Sequence, residues 1–318
     1  MSDTSSPQPA TGVRLSFADL PAGVRKEIET RAGAGVVEAA DQAGGFSPGV
    51  AARLVLADGS RIFVKAVGKA QNPDSPGMYR AEAQALGALP ASAPAPRLLW
   101  TYDDGDWVAL GVEDIEGRQP GVPWRRAELD RVLDGLDEMA AALTPAPSGF
   151  PEVRKSLAGT LSGWRTLAAD PPPDLDDWTR RNLGRLAELE ARWPEEAGGD
   201  TLLHIDLRAD NVLFDGEGRM WVIDWAHAAT GAAWVDLVLF LVSVTRDSDA
   251  DPDELLLSCE TGRTAPRAGV DALVCAFAGF MTEACRRPAP PGLPTLRAFQ
   301  RSYAEPNLEW ARRRTGWR

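Results

Sequence analysis

The 318-residue sequence holds three cysteines, two histidines and three tyrosines, and the first two shortages each remove a class of protein. Cys259, Cys275 and Cys285 are odd in number and lack Cys-x-x-Cys spacing. A disulfide framework or zinc knuckle is therefore not expected, and a reducing cytoplasm fits. With only His204 and His227, no His-rich metal cluster can be built, and a Gly-x-Ser-x-Gly elbow is absent, so a hydrolase is disfavoured. Basic residues are in deficit, 34 against 46 acidic ones, for a formal charge of −12. A general nucleic-acid binder needs the opposite balance. Long apolar runs are missing too: Trp234–Val244 is short and contains Asp236, which reads as a core helix and not a membrane span. Residues 1–10 have neither a basic start nor an apolar run, so no signal peptide is expected.

What the chain does hold is an acidic motif at residues 202–225, Leu-Leu-His-Ile-Asp-Leu-Arg-Ala-Asp-Asn-Val-Leu-Phe-Asp-Gly-Glu-Gly-Arg-Met-Trp-Val-Ile-Asp-Trp. Asp206 lies five positions before Asn211, a spacing that suits a tight loop better than a helix. Residues 212–214 read as a strand, 215–218 as a turn and 220–223 as the returning strand. Such a hairpin would return Asp224 to the side of Asn211, with Asp206 nearby. An amide oxygen and a carboxylate are hard ligands. A site with few protein oxygens, completed by phosphate and water, suits Mg2+ carrying a polyphosphate.

His204-x-Asp206, then Asn211, a hairpin and Ile223-Asp224-Trp225 together resemble the Brenner motif and metal-binding Asp of the aminoglycoside phosphotransferase family, whose fold is kinase-like. The resemblance implies that Asp206 is the catalytic base for an acceptor hydroxyl, that Asn211 and Asp224 hold magnesium, and that His204 braces the loop. Arg208 would either help neutralise the γ-phosphate or pair with Asp210. Where the family often has an acidic residue after Ile-Asp-Trp, this chain has Ala226, so no further carboxylate is available there. Asp236 resembles the family's buried Asp that accepts hydrogen bonds from the loop backbone, and reads equally well as a helix N-terminal Asp.

Earlier in the chain, residues 1–13 are rich in Ser, Pro and Thr and are expected to be disordered. Phe17–Arg31 reads as a helix. Val36–Asp41, Val50–Leu56 and Arg61–Val67 read as strands, the last two joined by Asp58-Gly59. Gly33-Ala34-Gly35 lacks the third glycine of a dinucleotide fingerprint and has no strand before it. The run Ala43–Gly49 has glycines that would let backbone amides wrap phosphates, although alone it reads as a hairpin loop. It resembles the family's nucleotide-positioning loop, through Gly44, Gly45, Phe46 and Ser47. Lys65 sits in an apolar strand, where an ammonium needs a partner. The resemblance supplies Glu82, on a helix read over Met78–Leu89, and such a pair orients the lysine towards the α- and β-phosphates. After strands at Arg97–Tyr102 and Trp107–Val112 comes the family's hinge, where Glu113 and Ile115 would offer backbone contacts to a purine. From Trp124 the apolar spacing is helical, over Glu128–Leu143, Ser156–Ala169, Leu175–Trp193, Ala268–Arg287 and Thr295–Arg314.

The expectation is an α+β, bilobal protein-kinase-like fold. Residues 1–113 would form a nucleotide-binding lobe with a small antiparallel sheet and one main helix. Residues 114–318 would form a larger, mostly helical catalytic and substrate-binding lobe. The reaction implied is transfer of the γ-phosphoryl group of ATP or GTP, with Mg2+, to a hydroxyl of a small molecule. An antibiotic (aminoglycoside, nucleoside or other hydroxylated type) is the first acceptor expected, with homoserine, choline or a sugar as the alternative. The rival from another class is a catalytically silent kinase-like binding module, against which stand the base and both metal ligands. A protein kinase is disfavoured because no Ala-Pro-Glu follows Asp224.

Overall fold

The structure, a computed structural model, describes residues 14–42, 48–290 and 293–318. The expectations for residues 1–13 and for the glycine run at 43–47 lie outside the described residues. Internal contacts divide the chain into two units. One is formed by the described residues of Met1–Gln119, Val212–His227 and Pro290–Pro294, the other by Pro120–Asn211, Ala228–Ala289 and Thr295–Arg318. This division differs from a single cut after Glu113: residues 114–119 and the 212–227 segment count with the first unit.

In the first unit, β1 (Val36–Asp41), β2 (Val50–Leu56), β3 (Arg61–Gly68), β4 (Leu98–Asp103) and β5 (Trp107–Glu113) form an antiparallel sheet in the order β1-β2-β3-β5-β4. Side chains on β3 alternate. Ile62, Val64 and Ala66 enter a core with Val24 and Ile28 of α1 (Ala22–Ala32), which sends Lys65 to the opposite face. There α2 (Ser75–Ala88) packs on β3, β4 and β5. The helix read over Phe17–Arg31 is divided by Pro21: a 3-10 turn at Phe17–Asp19, capped by Ser16, precedes it and α1 follows. Proline has no N–H to continue the turn's ladder but suits a helix start.

The later strands are short. β6 (Gly117–Arg118) pairs with β8 (Val212–Asp215), and β8 with β9 (Met220–Val222), Val212 opposite Val222. In the second unit β7 (Thr201–Leu203) pairs antiparallel with β10 (Ala229–Gly231). The rest of that unit is helical: α3 (Arg126–Ala142), α4 (Val153–Ser156), α5 (Gly163–Ala169), α6 (Asp177–Glu190), α7 (Trp193–Glu196), α8 (Trp234–Asp247), α9 (Pro252–Ser258), α10 (Glu260–Thr264), α11 (Arg267–Ala284) and α12 (Leu296–Thr315). As its run of apolar residues suggests, α8 is buried continuously from Trp234 to Val244. Trp164, Trp193, Phe240 and Trp310 are fully buried and fill this unit's core. No described helix is long and apolar enough to cross a membrane.

Candidate active site

Lys65 is the centre of the first unit's polar cluster. Its Nζ lies 2.5 Å from Glu82 Oε2 and 3.1 Å from Asp224 Oδ1. Glu82 is buried on α2, and Tyr79, one turn earlier, places its ring centroid 5.2 Å from the same ammonium. Burial lowers the Lys65 ammonium's affinity for its proton, but Asp224 and Glu82 outweigh it and hold the pKa above the usual lysine range. Lys65 is therefore a fixed positive charge, aimed by two carboxylates. Tyr79 escaped the sequence reading because a lone tyrosine in a helix reads as core; its three-residue spacing from Glu82 is the signal that marks it.

Asp224 follows β9 by two residues, and its φ of 68° lies in the left-handed region. A non-glycine residue held there costs roughly 1–3 kcal/mol and persists where surrounding structure fixes it. Its side chain remains 47% exposed.

Where the hinge is expected, the Glu113 N–H donates to Arg97 O at 2.9 Å while the Glu113 carboxylate accepts from Arg97 Nε at 3.1 Å. The Ile115 carbonyl accepts from Arg53 Nη2 at 3.1 Å, so that oxygen already has a donor. Between them the buried Asp114 carboxylate is clamped by Arg53 at 2.9 Å and Arg61 at 2.8 Å. These two guanidinium groups tie residues 114–116 to β2 and β3, Arg53 through the Ile115 carbonyl and the Asp114 carboxylate and Arg61 through side chains alone.

The second unit carries the base loop, residues 204–211. Asp236, near the start of α8, accepts from the N–H of His204 at 2.6 Å and of Ile205 at 2.8 Å. Of its two readings, the structure thus gives the loop acceptor. Burial pushes its carboxyl up to about 6, against these two hydrogen bonds. Ile205 has a φ of 75°, an unusual value for a β-branched residue, and Asp236 helps to hold it. The Asp206 N–H in turn donates to His204 Nδ1 at 3.2 Å, so His204 is a buried brace. Asn211 Nδ2 donates to Asp206 O at 2.8 Å and lies 3.2 Å from Asp206 Oδ2. Arg208 Nη1 is 3.3 Å from Asp206 Oδ1, and its Nε and Nη2 are each 3.0 Å from Asp210. Pairing with Asp210, one of the two roles open to Arg208, is thus formed.

Each unit separately carries a hard oxygen donor among the residues expected to bind metal. In the second unit Asn211 turns its nitrogen to Asp206 O, which leaves Oδ1 as the donor oxygen; in the first unit the Asp224 carboxylate is half-exposed. Among the described residues no group of three or more His, Cys, Asp or Glu could hold a metal. An amide oxygen and a carboxylate are the donor types that magnesium takes alongside water and phosphate oxygens.

A five-stranded antiparallel sheet bearing a Lys–Glu pair, with a His-x-Asp loop ahead of a β-hairpin, defines the kinase-like fold. The chain belongs to the phosphotransferase enzyme family, whose profile matches residues 44–273. Homoserine kinase of Methylobacterium radiotolerans is 34% identical over 142 residues, 43% of this chain and 41% of that protein. The match thus spans about two fifths of that relative's length. Among solved structures, a thermostable mutant of aminoglycoside phosphotransferase APH(4)-Ia, in ternary complex with ADP and hygromycin B, superposes with a TM-score of 0.62 at 16% identity, covering 93% of this chain and all of that one. Choline kinase LicA from Streptococcus pneumoniae has a TM-score of 0.55 at 15% identity, covering 92% and 96% of the two chains. At these identities the structural likeness establishes the shared fold.

Proposed function

We propose that the protein is a small-molecule kinase that transfers the γ-phosphoryl group of ATP or GTP to an acceptor hydroxyl. The observation that carries this reading is Lys65, held as an ammonium between Glu82 and Asp224 in a chain that also carries the braced Asp206 loop. In the proposed reaction the acceptor oxygen bonds to the γ-phosphorus as the bond to the leaving nucleoside diphosphate oxygen breaks. The hydroxyl proton passes to the Asp206 carboxylate. Lys65 holds the α- and β-phosphates, and Glu113 and Ile115 present backbone to the purine. Arg208 holds Asp206 in place. Asn211 and Asp224 would hold Mg2+, which when bound offsets phosphate charge. The three free, buried cysteines support a reducing compartment, the cytoplasm.

For the acceptor, homoserine or a similar small hydroxylated amino acid is favoured over an aminoglycoside. Sequence-level likeness runs to homoserine kinases, whereas that to the hygromycin-binding enzyme is at the level of fold. The charge around the base supports the same choice. Arg208 and Arg246 stand 5.7 and 5.4 Å from the Phe299 ring centroid, and they are paired with Asp206, Asp210 and Asp247. Five charges of which two are cationic leave little surplus acid for a polyammonium acceptor.

The test is a product assay with magnesium and either ATP or GTP, offering homoserine, choline and an aminoglycoside panel. Phosphorylated homoserine is expected, and Asp206→Ala should lose roughly 10²–10⁴-fold in turnover while still binding nucleotide. Near-full turnover by Asp206→Ala would remove the base assignment, and phosphorylation of an aminoglycoside alone would restore the antibiotic reading.

A further inference from the structure

Arg14 has an unmet demand. Among the described residues, nothing accepts a hydrogen bond from its Nε or Nη1, and both nitrogens are closed to solvent. The segment that follows is pinned to the sheet. Phe17 N–H donates to Asp41 Oδ1 at 2.8 Å, and Leu15, Phe17 and Leu20 pack into the core with Val50, Val64 and Ala66. Arg14 is thus fixed on the first unit.

The titratable groups close enough to act on Arg14 are Tyr79 and Asp224. These groups also adjoin Lys65, whose Nζ is 5.2 Å from the Tyr79 ring centroid and 3.1 Å from Asp224 Oδ1. The two cations differ in one respect. Lys65 has two carboxylates at ion-pair distance, and Arg14 has none among the described residues. Burial disfavours the charged guanidinium and pulls its pKa below the usual arginine range, though not to where it could deprotonate near neutral pH. A permanent charge with desolvated, unused donors is costly to keep unless an anion arrives to use them. Guanidinium donors suit phosphate oxygens in particular, because their planar array matches the spacing of those oxygens.

We propose that Arg14 is a polyphosphate-binding residue, which with Lys65 makes a two-cation receptor on the first unit for the phosphates of the donor nucleotide. The proposal rests on the phosphotransferase reading above. Arg14 donates from Nε and Nη1 to phosphate oxygens, while Lys65, already neutralised by its carboxylates, acts chiefly as an orienting charge. Arg14 therefore distinguishes a nucleoside polyphosphate from a nucleoside, whereas the hinge does not.

The experiment is calorimetric titration of the full chain with ATP, ADP and adenosine, alongside thermal unfolding without ligand, for the parent, Arg14→Met and Arg14→Lys. Arg14→Met is expected to bind ATP at least tenfold more weakly, to bind adenosine unchanged, and to melt no lower than the parent, because a buried unpaired charge has gone. Arg14→Lys should fall between the two. An unchanged ATP affinity in Arg14→Met overturns the proposal. So does an equal loss for ATP and adenosine, or a lowered melting temperature of the free protein, since either makes Arg14 structural. A parent chain that binds no nucleotide would bring down the phosphotransferase reading and Arg14 with it. A parent that binds ATP beside an indifferent Arg14→Met removes the Arg14 assignment alone.

Discussion

At Asp236 a single carboxylate accepts from two successive backbone N–H groups, His204 and Ile205, the second of which has a left-handed φ. The loop that presents Asp206 is therefore shaped by a charge 30 residues further along the chain. Burial raises this carboxyl to about 6, against an ordinary aspartate value of about 4, and the sign has two separate consequences. The folded chain takes up this proton more readily than the unfolded one, so the group's contribution to stability is complete below about 4 and is lost as pH rises through about 6. The loop needs the ionised form, so turnover should fall as pH drops through about 6. Activity and melting temperature are thus expected to move in opposite directions across this window as far as Asp236 governs them. Asp236→Asn, which puts an amide N–H2 against one backbone N–H, should lower turnover roughly 10- to 100-fold, as expected for 1–3 kcal/mol. It should also flatten the acid limb of the pH–rate profile; an unchanged limb would separate Asp236 from it. At this scale the sequence is uneven evidence. The Lys65–Glu82 contact is legible in two steps: a lysine inside an apolar strand needs a partner, and the family resemblance names Glu82 for it. Arg14 is not legible, since it sits at the edge of a Ser/Pro-rich stretch with no periodicity, and only the fold brings it within reach of Tyr79 and Asp224.

Among the elements, the long ones follow from periodicity and the short ones do not. β2, β3, α3 and α8 appear where alternation or helical spacing places them, because each buries a continuous apolar face. β6, β7 and β10 have two or three residues each and exist through their partners, so no local pattern announces them. The helix read over Ser156–Ala169 shows another limit. It is interrupted, and its second part, α5, begins at Gly163, where an added Cβ would lie 2.1 Å from Gly279 O of α11. In turn a Cβ on Gly279 would lie 2.6 Å from Trp164 Cδ1. Two helices meet backbone to backbone here, with the fully buried Trp164 donating its indole N–H to Cys275 O at 2.7 Å. The neighbour being backbone, Gly163→Ala cannot be absorbed by a rotamer change. It is expected to destabilise the protein by about 1–3 kcal/mol, the usual range for overpacking, or more. Chemical denaturation would show it as a lower midpoint at constant slope, and an unchanged midpoint would contradict the close approach.

For the molecule as a whole, the chain passes repeatedly between its two units, at 119/120, 211/212, 227/228, 289/290 and 294/295. Candidate residues cluster at these passages: Asn211 ends one segment, Asp224 lies three residues before His227, and the hinge runs into Gln119. A sequence-based cut after Glu113 misses this, because composition registers where a chain changes character and not where it returns. The returning segment matters to the first unit's interior. Val212, Phe214, Val222 and Trp225 are each at most 2% exposed, β8 pairs with β6, and Val222 N–H donates to Pro94 O at 2.6 Å. A fragment of residues 1–119 lacks these partners and Asp224. It is expected to give poorly dispersed amide resonances and rapid proteolysis, while adding residues 212–227 in trans or by fusion should sharpen the spectrum; a well-dispersed 1–119 fragment would count against this. During synthesis the same feature sets an order of events. The ribosome releases the amino-terminal sheet first, yet the β8–β9 hairpin of the same unit emerges about a hundred residues later, after much of the second unit's chain. The nascent first unit must therefore wait, incomplete, and a chaperone that shelters early chains would act during that interval.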